Sequence, residues 1–222
     1  METPTVLVTG AARGLGQELA VALGRHGYRV AGLDAVPQPE TAGRVLDYLE
    51  LVADVADEEQ VRAALERVLD HFGTLHALVN DAGGPPEGEG EAETEAEAEF
   101  ERTTPQEWRR TVRDVLEAPF VMTRAVLPHL KAAGWGRIVN VTPAAVSDAP
   151  PARVAHTAAQ TGLVGLTRAL AGALAPYAIT VNAIAPGPEP EDLIPTLLYV
   201  LDEGNGRLTG QTLDLSGGPA RR

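Results

Sequence analysis

His156 and Gln160 stand four residues apart in PARVAHTAAQTGLVGLTRALAGAL (151–174), whose small and apolar residues suit a buried helix. That spacing puts both on one helical face. Histidine is the side chain that exchanges protons near neutrality, whereas glutamine offers hydrogen bonds and no charge. The pair is either a working acid–base site or the remains of one. A second group lies earlier in the chain. TGAARGLG (9–16) brings Gly10, Gly14 and Gly16 close together, with Arg13 and Leu15 between them. Backbone without Cβ can approach a pyrophosphate, and a helix opening there favours negative charge. Asp34 follows Gly16 by 18 residues. A carboxylate at that distance can accept hydrogen bonds from an adenosine ribose and repels a 2′-phosphate, which favours NAD over NADP.

These groups need a scaffold, and strand and helix signals alternate from end to end. TVLVT (5–9) reads as a buried parallel strand. The glycine turn and a helix to about Arg25 follow, closed by Gly27. Strands are expected at 28–34, 48–54 and 75–80, with a helix capped by Asp57 running to about Phe72 before the last of these. TPQE (104–107) is a capping box with Pro105 at the first helical position. Its helix should reach about Ala133, with Pro119 and Pro128 as points of bending. Strands at 137–142, 179–185 and 212–215 and a helix near 192–201 complete the pattern. Seven buried strands separated by helices imply one α/β domain over 1–222, a parallel sheet covered on both faces.

Composition narrows the function classes. The 222 residues contain no cysteine, so disulfides, thiolate metal sites and cysteine nucleophiles are excluded. The five histidines are dispersed, without metal-ligand spacing. A net charge of −13 argues against a general nucleic-acid binder. Eight glutamates and no base fall in EGEGEAETEAEAEFE (87–101), which reads as a solvated acidic loop inserted after the fourth strand. No apolar run has the length of a membrane span. The N-terminus carries no basic-then-apolar signal, so a cytoplasmic location and no membrane contact are expected.

The ordered motifs make the chain resemble the classical short-chain dehydrogenase/reductase family over nearly its whole length. The glycine turn matches that family's cofactor motif. Asp54 in DVAD, followed by Val55, matches the acid that meets the adenine. NDAG (80–83), with Asn80, Ala82 and Gly83, matches the family's NNAG with one change. RIVNV (137–141), GLVGLTRALA (162–171), VNAIAPG (181–187, ending in Pro186 and Gly187) and LTGQTLDLSGG (208–218) match later landmarks. The resemblance implies a Rossmann-type, doubly wound fold and an NAD(P)-dependent oxidoreductase ancestry. It also implies a homodimer or homotetramer built on helices 105–133 and 153–174, or a mixed oligomer with an active relative.

The same resemblance locates what is missing. The family's catalytic Asn, Ser, Tyr and Lys positions are Val115, Pro143, His156 and Gln160 here. Valine and proline have no side-chain proton to exchange, and glutamine cannot supply the lysine's charge. After Gly187 the chain runs directly into PEPEDLIPTLLYVL, without the lid segment that usually covers substrate and nicotinamide. Three readings follow. The chain is a catalytically degenerate member that binds a dinucleotide and serves as a binding, structural or regulatory subunit. It is an oxidoreductase, lyase or isomerase with altered chemistry, using His156 with a hydroxyl from Thr142, Ser147 or Thr157. Or it is a scaffold that binds no dinucleotide.

Overall fold

In the computed structural model, residues 3–81, 100–142, 154–187 and 190–215 are described. β1 (Thr5–Thr9) is buried at every position, as its unbroken apolar run requires. It is followed by α1 (Gly14–Arg25), β2 (Arg29–Asp34), a short helix α2 (Pro39–Ala42), β3 (Leu49–Val52), α3 (Glu58–Phe72) and β4 (Ala77–Asn80). The second half runs through α4 (Pro105–Val112), a π-helical turn (Arg113–Glu117), α5 (Ala118–Ala133), β5 (Gly136–Val141), α6 (Val154–Leu174), β6 (Ile179–Ala185), α7 (Pro190–Leu201) and β7 (Thr212–Asp214).

The strands form one sheet in the order β3-β2-β1-β4-β5-β6-β7, and every neighbouring pair is parallel. From β1 the chain builds outward to β3, then returns to place β4 on the other side of β1. The sheet therefore has a switch point between β1 and β4. Ligands of open parallel sheets bind outside the carboxyl ends of the strands at such a point.

Each face has its own core. On one, Leu7, Leu33, Leu51 and Leu78 pack beneath α3, α5 and α6 through Val61, Val68, Met122, Val126 and Leu174. On the other, Val6, Val8, Val79 and Val139 meet Leu19 and Leu23 of α1 and Leu193 and Leu197 of α7. Burying each such side chain contributes about 1.5–3 kcal/mol.

The caps legible in the sequence are present. Asp57 accepts the N–H groups of Glu59 and Gln60 at the start of α3, and Gly73 ends that helix in the left-handed conformation. Thr104 and Glu107 form the reciprocal box at the start of α4. The expected bend at Pro119 takes the form of the π-turn just upstream. Proline has no N–H to return to the carbonyl of Val115, so the ladder widens there. The helix continues through Pro128.

Arg137, at 1% exposure, is a cation inside the sheet. Its Nε donates to the Asp202 carbonyl (3.1 Å) and its Nη1 to those of Gly136 (2.8 Å) and Ala178 (3.3 Å). Nη2 donates to the Glu203 carbonyl at 2.6 Å. One side chain thus ties the start of β5 to the turn before β6 and the loop after α7. Among the described residues, no helix is long and apolar enough to cross a membrane, and no group of three or more His, Asp or Glu could hold a metal ion.

Candidate functional site

The glycine turn lies at the switch point, between the ends of β1 and β4. Gly10 (φ +68°) and Gly14 (φ +57°) both adopt the left-handed region, where a side chain is strained. Gly16 is needed for another reason. A Cβ there would stand 2.3 Å from the Gly10 carbonyl oxygen, and one at Gly10 would stand 2.3 Å from the Asp81 carbonyl oxygen. The backbones of the turn, α1 and the end of β4 can approach this closely only without side chains.

The N-terminus of α1 suits an anion. Arg13, at the cap position, is extended and provides no side-chain cap, and the first turn holds no acid. Helix-terminal N–H groups at the positive end of the dipole favour phosphate oxygens; of those in the first turn, the Gly16 N–H is taken by the Asp81 carboxyl. Arg13 and Gly14 are exposed, Leu15 is half-buried against the core, and Gly16 is buried.

The turn is braced from behind by residues the sequence reading did not single out. The Thr41 hydroxyl of α2 donates to the Ala11 carbonyl at 2.7 Å. Gln17 Nε2 donates to Thr41 Oγ1 (2.9 Å) and to the Ala12 carbonyl (3.2 Å). Their sequence signal was slight: Pro39 followed by Glu40 at a helix start. Thr41 is fully buried. Replacing it by valine should destabilise the fold by about 1–2 kcal/mol, because the Ala11 carbonyl and the Gln17 amide lose a shared partner. Urea unfolding would show a lower midpoint at unchanged slope; an unchanged midpoint would mean that the hydroxyl is dispensable.

Asp34 ends β2 beside the turn, where its Oδ2 accepts the Ala12 N–H at 3.0 Å and its Oδ1 the Val36 N–H at 3.3 Å. Behind it, Tyr48 donates its hydroxyl to Gln38 Oε1, and Gln38 Nε2 donates to the Leu51 carbonyl at 2.8 Å. Burial, with the charges of Glu50 and Asp34, pushes the Tyr48 phenol up and keeps it a donor.

Asp54 is already engaged. β3 ends at Val52, two residues short of the expected boundary, because Asp54 turns to local partners. Its N–H goes to Gln60 Oε1 (3.0 Å) and its Oδ1 accepts the Ala56 N–H (2.9 Å). Oδ2 is paired with Arg113 of the π-turn. Burial raises this carboxyl's pKa, but the Ala56 N–H and the Arg113 guanidinium outweigh it and hold the group below its ordinary value. Arg113 lies 59 residues away in the chain, and nothing in the sequence pointed to it. Val55, beside Asp54, is half-buried against the core.

Asn80 anchors the site floor. Its Nδ2 donates to Asn140 Oδ1 (2.8 Å), Asn140 Nδ2 donates to Thr167 Oγ1 (2.9 Å), and the Thr167 hydroxyl donates to the Leu163 carbonyl (2.8 Å). This chain joins β4, β5 and α6. Asp81, next along, donates its N–H to Thr9 Oγ1 at 3.0 Å. Burial lifts its carboxyl pKa to about 6, reinforced by the charge of Asp34 and opposed by the Gly16 N–H. Folding therefore takes up a proton between the ordinary 3.8 and about 6. This group's contribution to stability is greatest at low pH and is lost as pH rises through about 6.

At the positions that resemble the family's catalytic groups, Val115 is buried inside the π-turn and Gln160 is buried on α6. His156 is half-buried one turn before Gln160. Thr142 is fully buried, and among the described residues its hydroxyl and that of Thr157 meet no hydrogen-bond partner. Pro186 and Gly187 are half-buried, and a Cβ on Gly187 would stand 2.8 Å from the Leu215 carbonyl oxygen. Only residues 186–189 separate β6 from α7. Ala82, Gly83, Pro143, Ser147 and the acidic stretch through Glu99 lie outside the described residues. A separate groove of about 370 Å³ lies between α3 and α5, lined by Leu65, Leu69, Val121 and Pro128. It is on the outer helical layer, away from the strand ends.

A parallel, doubly wound sheet with a glycine-built β–α turn at its switch point and an acid ending β2 defines a Rossmann-type fold of the dinucleotide-binding class. The family model described as short chain dehydrogenase matches residues 4–191, and the chain belongs to that family. It is 34% identical over 195 residues to the 3-oxoacyl-(acyl-carrier-protein) reductase FabG of Pseudomonas aeruginosa, covering 84% of this chain and 74% of the relative. A crystal structure of 3-ketoacyl-(acyl-carrier-protein) reductase from Brucella melitensis complexed with NADH superposes with a TM-score of 0.86 at 27% identity, covering 98% of both chains. An actinorhodin polyketide ketoreductase with NADPH gives 0.86 at 25% identity over 97% of each chain.

Proposed function

We propose that this chain binds a nicotinamide dinucleotide and acts through binding, as a structural or regulatory subunit, without normal dehydrogenase turnover. The observation that carries the reading is a contrast between two sets of residues. The glycine turn, its bracing and Asp34 are in place, while Val115, His156 and Gln160 stand where the family resemblance puts its catalytic Asn, Tyr and Lys. Pro143 stands at the serine position. The glycine turn and the start of α1 fit a pyrophosphate, and Asp34 fits ribose hydroxyls. Its charge favours NAD(H) over the 2′-phosphorylated form.

A bound nicotinamide supplies hydride chemistry. The chain's own residues would have to orient the carbonyl and move the proton. A buried glutamine holds no charge to lower a neighbouring acid's pKa, and valine holds no proton. Loss of one general acid–base alone costs about 10²- to 10⁴-fold. The short connection from β6 to α7 leaves no segment there to cover a substrate and exclude water.

Assembly fits the same role. Trp108 and Phe120, on α4 and α5, and Val154 at the start of α6 are exposed. They lie on the helices expected to form a homodimer or homotetramer, or a mixed oligomer with an active relative.

The test pairs binding with turnover. NADH should bind, read by fluorescence, and more tightly than NADPH. The purified chain should show no reduction above background across a panel of ketones, aldehydes and 3-ketoacyl thioesters. Turnover at ordinary enzyme concentrations would overturn the reading, as would an absence of NADH binding.

A further inference from the structure

Asp81 is a charged group beside the glycine turn to which the dinucleotide reading gives no role. Its Oδ2 lies 2.9 Å from where a Cβ on Gly16 would stand and 3.6 Å from where one on Gly10 would stand. The carboxyl thus lies buried where the backbones of the turn, α1 and the end of β4 approach most closely. It accepts the N–H of Gly16, one of the donors in the first turn of α1. An acid of the chain itself already holds one of the donors at that helix terminus.

Among the described residues, the charges around Asp81 come from few places. Asp34 adds like charge from the end of β2. Facing it, β1 contributes the neutral Thr9. The first turn of α1 carries Gly14, Leu15, Gly16 and Gln17, and the next residue, Glu18, is paired with Arg44. Arg13, in the turn itself, is the nearby cation in sequence and is exposed.

We propose that Asp81 couples binding of a pyrophosphate-bearing nucleotide to uptake of one proton: the neutral carboxyl admits the phosphates and the ionised one repels them. The inference rests on the dinucleotide reading above. Two negative charges brought together away from water repel strongly. The carboxyl titrates at about 6 before any ligand arrives. Neighbouring phosphates push it higher, so affinity is greatest below about pH 6 and falls as pH rises. Asparagine at this position would keep an acceptor for the Gly16 N–H and remove the charge.

Calorimetric titration with ADP-ribose, at about pH 5.5 and about pH 8, tests this on the wild-type chain and on Asp81→Asn. Wild-type affinity should weaken about tenfold or more across that range, whereas the variant should hold within about twofold and match the wild type's acid value. Adenosine, lacking phosphate, should show no such change in either protein. The wild-type chain alone provides a second measurement, whatever the variant's folding. In buffers of different ionisation enthalpy, ADP-ribose binding at about pH 7 should take up about 0.4 proton or more. A flat wild-type profile, an unchanged pH dependence in the variant, the same dependence for adenosine, or binding without proton uptake would each overturn the inference while leaving dinucleotide binding intact. No binding of ADP-ribose by either protein at any pH would overturn the dinucleotide reading and this inference with it.

Discussion

Alanine at Gly16 should weaken NADH binding by about a hundredfold, equivalent to ~2.7 kcal/mol, whereas alanine at Gly14 should leave most of it. The two glycines sit two residues apart and fail for different reasons. At Gly16 the new methyl would meet the Gly10 carbonyl oxygen at 2.3 Å and its carbon at 2.7 Å. Neither is the end of a flexible side chain, so α1 must move away from the turn and take its N-terminal donors with it. At Gly14 no atom lies within 4 Å of the added Cβ, and only the positive φ is strained. That strain costs roughly 1–2 kcal/mol of folding stability and leaves the donors where they are. Fluorescence titration with NADH and thermal unfolding on the same samples separate the two effects. Equal loss of binding in both variants, or normal binding by Gly16→Ala, would contradict this account of the turn.

The second large effect belongs to Arg137. Its guanidinium satisfies the carbonyls of Gly136, Ala178, Asp202 and Glu203, and its carbon centre lies 5.2 Å from the Trp135 ring centroid. Methionine would fill much of the volume and remove the guanidinium from all four carbonyls, of which those of Ala178 and Asp202 keep the N–H groups of Gly136 and Asn205. The expected loss is on the order of 3–5 kcal/mol, well above the usual effect of one substitution. A urea midpoint lowered by that amount, with binding retained by the fraction still folded, is the anticipated outcome. A shift below about 1 kcal/mol would show that solvent replaces the guanidinium at no great cost.

These two residues also mark what could be read in advance. Gly16 was legible because strand, glycine turn and helix are consecutive in the chain, and the turn requires residues without Cβ. Arg137 was legible only as the first letter of a strand, since three of its four partners lie 41 to 66 residues away. The same division runs through the site. Asp34, Asn80 and the glycines could be placed from local pattern. The pairing of Asp54 with Arg113 and the bracing by Thr41 depend on how separate elements meet. The three-residue step from Gln38 to Thr41 carries no amphipathic repeat, so α2 escaped notice. Asp81 was seen as a one-letter departure from a motif, but its burial against Gly16 belongs to the folded sheet. Strand existence followed from apolar runs, whereas strand ends did not. Tyr48 and Asp54 look like strand residues, yet both side chains serve neighbouring loops.

The widened turn at Arg113–Glu117 has a mechanical consequence. A turn of that kind stores one residue more than an α-helical path needs. Leu116 from this turn packs on Gly162, where an added Cβ would stand 2.9 Å from its Cδ2. Excising a single residue elsewhere in the rod would swing everything downstream by about 100° and present the wrong side to the sheet. Excising one here, with Pro119 replaced by a residue that has an N–H, would let the coil tighten to its ordinary gauge with both flanking segments still seated. It is the place in this long rod where evolution or an engineer has slack to spend.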